Sequence, residues 1–301
     1  ALKQFEKELD RAENSSQART ILANNRDYMD RFEQLEALAG KVKNSFQNAY
    51  TFYVSGLIYE ARGEQNDAYI DYKKALEIFP NNQFLLADAV RLAKKLGMSQ
   101  DLSRYSRRLS KPQDYAIEKN EGRIVVLFEQ GFVPQKEQIK LGIFINSRLQ
   151  SLTFPTYLNN PAAAYPLTLR IPGEEAIRSE PIVNVSALAA KALKEKLPLI
   201  LVRQASRMIA RHQTNQNMGD AAVLLTSLTH MLINNADRRS WLTLPANAQI
   251  MHATKQQGRY LIELAIGQQR EQLEIEVIPG KTTILQVIAI DGQLYINRTT
   301  I

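Results

Sequence analysis

The chain has 301 residues and a formal net charge of +7, with 45% hydrophobic and 23% charged residues, the balance of an ordinary globular protein. It contains no cysteine and three histidines, His212, His230 and His252, which excludes disulfides and disfavours a histidine-rich metal centre. We therefore expect no metal, no cofactor and no enzymatic activity. The charge excess is too mild to indicate a nucleic acid partner. The sequence contains no run of about 20 apolar residues, so no transmembrane helix is predicted.

The first third of the chain is predicted to be helical. Residues 1–115 contain two prolines, and their apolar residues recur at intervals of three and four. One apolar stripe runs through residues 5–12, and a second runs through residues 22–38 and stops before Gly40. This spacing is typical of amphipathic helices that pack side by side.

A repeat motif occupies residues 49–82. Its small, aromatic and proline residues fall at the positions that define a 34-residue tetratricopeptide repeat (TPR). These residues are Phe52, Gly56, Tyr59, Ala68, Tyr72, Ala75 and Pro80. Gly97 follows Gly63 by 34 residues, the length of one repeat. This interval indicates a second, degenerate repeat with helices near 84–96 and 101–109. Residues 1–115 are therefore predicted to form a TPR-like helical domain.

A TPR array uses its concave face to hold a peptide or a helix of a partner protein. By the geometry of such repeats, we predict the groove-facing residues to be Tyr50, Tyr53, Leu57, Phe84, Arg91 and Lys94. The alternative is that so short an array packs on the following domain, because two or three repeats form only a small groove. Both interpretations are open at the level of sequence.

The remaining residues, 116–301, are predicted to form a mixed α+β domain. Three patterns follow one another in this region, namely strands at 123–183, helices at 185–235 and an antiparallel β-meander at 247–298. Strand candidates lie at 124–128, 139–145, 167–171, 249–253, 259–266, 272–278, 283–290 and 294–297. The whole chain is therefore assigned to the α+β class, and its length agrees with about two domains.

The helix predicted at 184–212 carries a basic face. Arg203, Arg207 and Arg211 are spaced by four and lie on one side of the helix. This spacing predicts a site for an anionic ligand, or else a solvated helix face.

Two further segments are docking candidates. The loop at 129–137 carries Gly131, Pro134 and Lys136, which indicates either a binding loop or a plain turn between strands. Trp241, the one tryptophan of the chain, follows a second helix that is predicted at 220–234. It is interpreted either as a docking residue or as part of the core.

These segments together resemble an uncharacterised family of exported Gram-negative bacterial proteins that contain TPR repeats. The residues that carry the resemblance are 49–82, 129–137, 185–198, Arg203, Arg207 and 236–245. The resemblance implies an outer-membrane lipoprotein on the periplasmic side. It also implies a lipidated N-terminal cysteine outside the residues of this sequence, and the membrane would be contacted only through that anchor.

The sequence thus leads to the expectation of a non-enzymatic cell-envelope protein. Its TPR region would bind a protein partner in envelope or peptidoglycan assembly, for example a peptidoglycan synthase or an assembly factor. Its second domain would bind an envelope protein or a glycan. Two alternatives stay open, namely a hydrolase that acts on an envelope polymer and an anion-binding protein that uses the basic helix.

Overall fold

A computed structural model describes residues 26–110, 117–145, 148–157, 163–215 and 236–301, with side chains left undescribed at a few positions inside the elements. Over these residues the chain is mixed α and β, as predicted, with six helices and three sheets. The helices are α1 (Arg26–Ala39), α2 (Ala49–Ala61), α3 (Gln65–Ile78), α4 (Gln83–Lys95), α5 (Ser99–Ser106) and α6 (Val185–Asn215). The strands are β1 (Glu121–Phe132), β2 (Glu137–Ile145), β3 (Arg148–Thr156), β4 (Thr168–Arg170), β5 (Ile177–Arg178), β6 (Glu180–Asn184), β7 (Pro245–Gln256), β8 (Gly258–Ile266), β9 (Gln269–Val277), β10 (Thr282–Ile290) and β11 (Gln293–Thr300).

The chain divides into two compact units, each assembled from three separate stretches. Unit 1 comprises Ala1–Ser45, Pro134–Pro161 and Ser186–Leu242, and unit 2 comprises Phe46–Val133, Ala162–Val185 and Thr243–Ile301. The helices α2–α5 therefore share a unit with the five strands that end the chain. The helices predicted at 5–12 and 220–234 lie outside the described residues.

Unit 2 begins with two consecutive helical hairpins, α2–α3 and α4–α5. Gly63 and Gly97 sit in the two turns with φ of +81° and +71°, a left-handed conformation that glycine adopts without strain. Where α2 and α3 cross, a Cβ atom on Gly56 would lie 2.4 Å from Cε1 of Tyr72. Glycine at this position therefore lets the aromatic ring pack directly on the backbone of the neighbouring helix.

Two sheets complete unit 2. One has the strand order β11-β10-β1-β7-β6, in which β1 runs parallel to β10 and antiparallel to β7, and the other has the order β5-β4-β8-β9. The core between them contains Ile124, Val126, Phe128, Leu167, Leu169, Ile171, Met251, Ile262, Leu264, Ile275, Val277, Leu285 and Val287. Because side chains alternate along a strand, Arg123 and Val125 of β1 face away from this core. They lie on the face that packs against the helices.

The five C-terminal strands are present, but they do not form the single antiparallel meander that the sequence predicts. The β8–β9 hairpin belongs to the second sheet, whereas β7, β10 and β11 belong to the first. After β9 the chain turns at Gly280, which has φ of +69°, and returns as β10 alongside β1. A parallel partner that is distant in sequence thus replaces the expected antiparallel neighbour.

Unit 1 contains the helices α1 and α6 and the antiparallel hairpin β2–β3. Its core is formed by the apolar faces of these elements, namely Leu35, Ala39, Leu152, Phe154, Tyr157, Ala190, Leu193, Leu197, Leu201 and Val202. Helix α6 continues through Pro198 as one element, although the proline removes a backbone donor. Among the helices described, none has the length and apolar character needed to cross a membrane.

Candidate functional site

The side chains predicted to line a TPR groove pack mostly inside unit 2. Tyr53 and Leu57 are buried. The hydroxyl of Tyr50 donates to Oε1 of Glu129 on β1 at 2.9 Å. Phe84 stacks edge-on against His252 of β7, with ring centroids 5.2 Å apart. The inner face of the hairpins is therefore occupied by the five-stranded sheet, the arrangement expected when a short array packs on the strands that follow it.

A network of charged side chains lies at this helix–sheet contact. Nη2 of Arg123 is 2.5 Å from Oδ1 of Asp88, and Nη1 of the same arginine is 3.4 Å from Oε2 of Glu60. Arg91 donates both terminal nitrogens to the Glu60 carboxylate, at 2.6 and 2.8 Å, and one of them to Asp88 at 3.0 Å. Two cations and two anions thus alternate within hydrogen-bonding distance. We call these four residues the ion network.

Neighbouring polar groups complete the hydrogen bonds of the ion network. The hydroxyl of Tyr53 donates to Asp88 at 3.1 Å, and the hydroxyl of Tyr72 donates to Glu60 at 3.1 Å. Nε2 of His252 lies 3.5 Å from Oδ2 of Asp88 and 3.1 Å from the carbonyl oxygen of Phe84. Each carboxylate of the network therefore accepts bonds from at least two side chains.

The arginines of the ion network keep its two carboxyl groups ionised. Burial by itself raises the pKa of Asp88, but the positive charges of Arg123 and Arg91 outweigh it and hold this pKa below its usual range. The same balance of burial against the two arginines lowers the pKa of Glu60. Burial lowers the pKa of His252, so the imidazole is neutral at pH 7. Each charge of the ion network thus has an opposite charge as its neighbour, and the network links α2 and α4 to β1.

A cavity of about 600 Å³ opens beside the ion network in unit 2. The lining includes six basic side chains, Arg91, Lys94, Lys95, Lys119, Arg123 and Lys281, and two acidic ones, Glu60 and Glu118. Arg91 and Lys94 were both predicted to face the TPR groove, and the structure brings them together here. We call this cavity the basic pocket.

Two further predictions concern the basic helix at 184–212 and the loop at 129–137. Arg203, Arg207 and Arg211 lie along α6, but their side chains are outside the described part of the chain, so the anion site predicted there stays a prediction. Gly131, with φ of +60°, lies near the end of β1 in unit 2, whereas Pro134 and Lys136 belong to unit 1.

The segment that carries Trp241 is held in place within unit 1. The backbone nitrogen of Ala236 donates to Oε1 of Gln138 at 3.0 Å. Nζ of Lys136 donates to the carbonyl oxygen of Arg239 at 3.0 Å, so the structure brings two predicted docking elements together. The Trp241 side chain is 71% exposed. Its interpretation as a core residue is therefore wrong, because the anchored segment directs the indole outward.

The sequence analysis missed three of the four residues of the ion network and four of the six basic residues of the basic pocket. Arg123 directly precedes the apolar run at 124–128, and Asp88 lies among the apolar residues of a helix. A charged residue beside or among apolar residues that are expected to be buried was a usable signal. Lys95, Lys119 and Lys281 had no such signal, because they come from three segments that only the fold brings together.

Comparison with known proteins gives no match. No family model matches the sequence, and neither a curated protein nor a solved structure shows detectable similarity to it. Function is therefore inferred from the geometry of the chain itself.

Proposed function

We propose that the protein is a non-enzymatic component of the Gram-negative cell envelope, exported to the periplasmic side of the outer membrane and held there by an N-terminal lipid anchor. It binds a protein of envelope or peptidoglycan assembly, such as a peptidoglycan synthase. The primary contact is the segment around Trp241, and helices α2–α5 form a TPR-like array that serves as a scaffold.

The observation that carries this proposal is the exposure of Trp241 on an anchored segment. Tryptophan and arginine are enriched among the residues that dominate the energy of protein interfaces. Trp241 is 71% exposed and Leu242 is 46% exposed. Arg238 and Arg239 precede them, with Ser240 in between. Because hydrogen bonds already hold this segment, binding would cost little conformational entropy.

The helical hairpins support a TPR-like scaffold. The glycines at their turns are 34 residues apart, and so are the asparagines Asn48 and Asn82 that cap α2 and α4. The inner face of the array is filled by the sheet of the same unit. This packing favours a partner site elsewhere on the chain.

The state of the acidic residues favours binding over hydrolysis. A hydrolase that acts on an envelope polymer would need either a polarised serine or a carboxyl group of raised pKa in a cleft, and the described carboxyl groups bear on the second possibility. Burial raises the pKa of Glu180, but its Oε2 accepts a bond from the backbone nitrogen of Gln83 at 2.6 Å at the start of α4. Asp88 and Glu60 are held ionised by arginines. These carboxyl groups thus have structural partners.

The test is crosslinking of the full-length protein in cells, followed by purification under denaturing conditions and identification of the adducts. We expect an envelope protein that is recovered with the wild type and lost with Trp241→Ala. The matched control is Tyr295→Ala, which removes an aromatic ring of comparable exposure, 55%, from unit 2. This control should retain the partner.

Two results would overturn the proposal. One is recovery of the same adducts from Trp241→Ala and from the wild type, which would show that the segment makes no contact. The other is a set of adducts restricted to cytoplasmic proteins in a fractionation that resolves the two compartments.

A further inference from the structure

We propose that the basic pocket of unit 2 binds a small ligand through its phosphate groups. This site is separate from the Trp241 segment and goes beyond the partner binding proposed above. Its defining feature is the convergence of lysines Lys94, Lys95, Lys119 and Lys281 around one cavity.

The convergence of these lysines is a property of the fold. Lys94 and Lys95 end α4, a position where basic residues also favour the helix dipole. Lys119 precedes β1, and Lys281 lies in the turn between β9 and β10, so neither charge is explained by a helix end. Three separate segments therefore direct positive charge into the same cavity.

The charge of the pocket is not neutralised by its own acids. Glu60 is already bound by Arg91 and Arg123, which leaves Glu118 as the remaining acidic residue of the lining. Lys95, Lys119 and Lys281 are exposed, and none forms a salt bridge with any residue that the structure describes. Like charges at close range repel one another, and an anion between them would remove that repulsion.

The lining selects a class of ligand. Ammonium groups act as compact point charges that suit a phosphate of high charge density, whereas the planar arginine forks are already used within the ion network. A phosphate monoester carries a charge of about −1.5 to −2 at pH 7. The volume of about 600 Å³ accommodates a small organic molecule. Ala61, Ile117 and Ile301 add an apolar wall for its non-phosphate part.

The experiment is a calorimetric titration of the full chain with inorganic pyrophosphate, beside an equal titration with citrate. We expect saturable binding of pyrophosphate at one site and weaker binding of citrate. The variant Lys95→Ala/Lys281→Ala should raise the Kd at least about tenfold, since it removes two charges at contact distance. The control Lys41→Ala/Lys43→Ala removes the same charge from two exposed lysines of unit 1 and should leave the Kd unchanged.

A second arm distinguishes a soluble phosphate ester from a lipid headgroup. Flotation with phosphatidylcholine vesicles that contain phosphatidic acid should recover the chain only when the phosphate belongs to a lipid, again with loss in Lys95→Ala/Lys281→Ala. Trp241→Ala should retain pyrophosphate binding, so failure of the partner-binding proposal and failure of this one are separable.

The proposal is overturned if neither probe binds saturably or if the pocket and control variants lose affinity equally. Equal affinity for citrate and pyrophosphate would likewise overturn the assignment to phosphate. Circular dichroism and thermal unfolding of each variant check that it is folded. If the double variant unfolds, the single variant Lys119→Ala takes its place. A Kd for pyrophosphate that rises in this variant and not in the control supports the proposal, and an equal effect in both overturns it.

Discussion

Arg123 of β1 and Asp88 of α4 meet inside unit 2, with Nη2 of the guanidinium 2.5 Å from Oδ1 of the carboxylate. Their side chains are 3% and 1% exposed. Two charges removed from water to this degree stabilise a protein only while each has its partners, because an unpaired buried charge is strongly unfavourable. The pair therefore ties the helical hairpins to the central strand of the sheet.

Removal of the guanidinium should leave Asp88 and Glu60 short of positive charge. We predict that Arg123→Met lowers the free energy of unfolding by about 3–5 kcal/mol, measured by urea denaturation. The control is Arg259→Met, because Nη1 of this exposed arginine lies 3.7 Å from Glu274 and such surface pairs contribute little. Similar unfolding midpoints for the two variants would contradict a stabilising role of the buried network.

The asparagines that cap α2 and α4 form a matched pair for a second prediction. Oδ1 of Asn48 accepts bonds from the backbone nitrogens of Tyr50 and Thr51, and Oδ1 of Asn82 accepts one from Leu85. The side-chain nitrogen of Asn82 also donates to carbonyl oxygens of Glu180 and Pro181, at 3.2 and 2.9 Å. Asn82 thus anchors its helix to β6 as well as capping it.

We predict that Asn48→Ala destabilises unit 2 by about 1 kcal/mol, the usual cost of losing a helix cap. Asn82→Ala should cost about 2–3 kcal/mol, because two hydrogen bonds to β6 are lost together with the cap, each worth about 0.5–1.5 kcal/mol. Chemical denaturation of the two variants in parallel gives the difference. Equal losses would show that the bonds to β6 add nothing to the cap.

The third prediction concerns pH. Burial lowers the pKa of His252 from its usual value of 6.5, although the nearby Asp88 opposes this shift. The unfolded chain therefore takes up a proton that the folded chain does not accept until a lower pH. Stability is complete above about pH 6.5 and is lost as the pH falls toward the pKa of the folded state, with a slope approaching about 1.4 kcal/mol per pH unit.

The variant His252→Gln should remove this slope, because glutamine does not titrate and its amide is still able to reach the carbonyl of Phe84. The measurement is the free energy of unfolding of both proteins between about pH 5 and 7.5, a range that spans the titration of an ordinary histidine. Comparison with the wild type isolates the one histidine, since His212 and His230 are present in both proteins. Parallel pH profiles would contradict the prediction.

The elements that carry a local signal were predictable from sequence. The β-branched run at 124–128 and the glycine spacing from Gly63 to Gly97 led to β1 and to the two hairpin turns. Strand β3 is absent from the predicted strands, and its Pro155 is a residue that normally disfavours a strand. Proline is tolerated at this position because β3 is an edge strand of a two-stranded sheet.

The relationships that depend on distant residues were not predictable. The parallel pairing of β1 with β10 leaves no signal in the sequence of either strand. Apolar residues that alternate along a strand fit a parallel and an antiparallel partner equally well. The exposure of Trp241 depends on bonds made by Gln138 and Lys136 from another part of the chain. In both cases the deciding contact is long-range.

The placement of β1 between β7 and β10 constrains how the protein folds. Arg123 aligns with Thr282 on one side and with Thr254 on the other, so both neighbours of the central strand are made much later than the strand itself. Contacts between residues so far apart form slowly. The helical hairpins can form early from local contacts, but the surface on which they pack is complete only after β7 and β10 have been made. We expect unit 2 to stay incompletely folded until both of these strands are available.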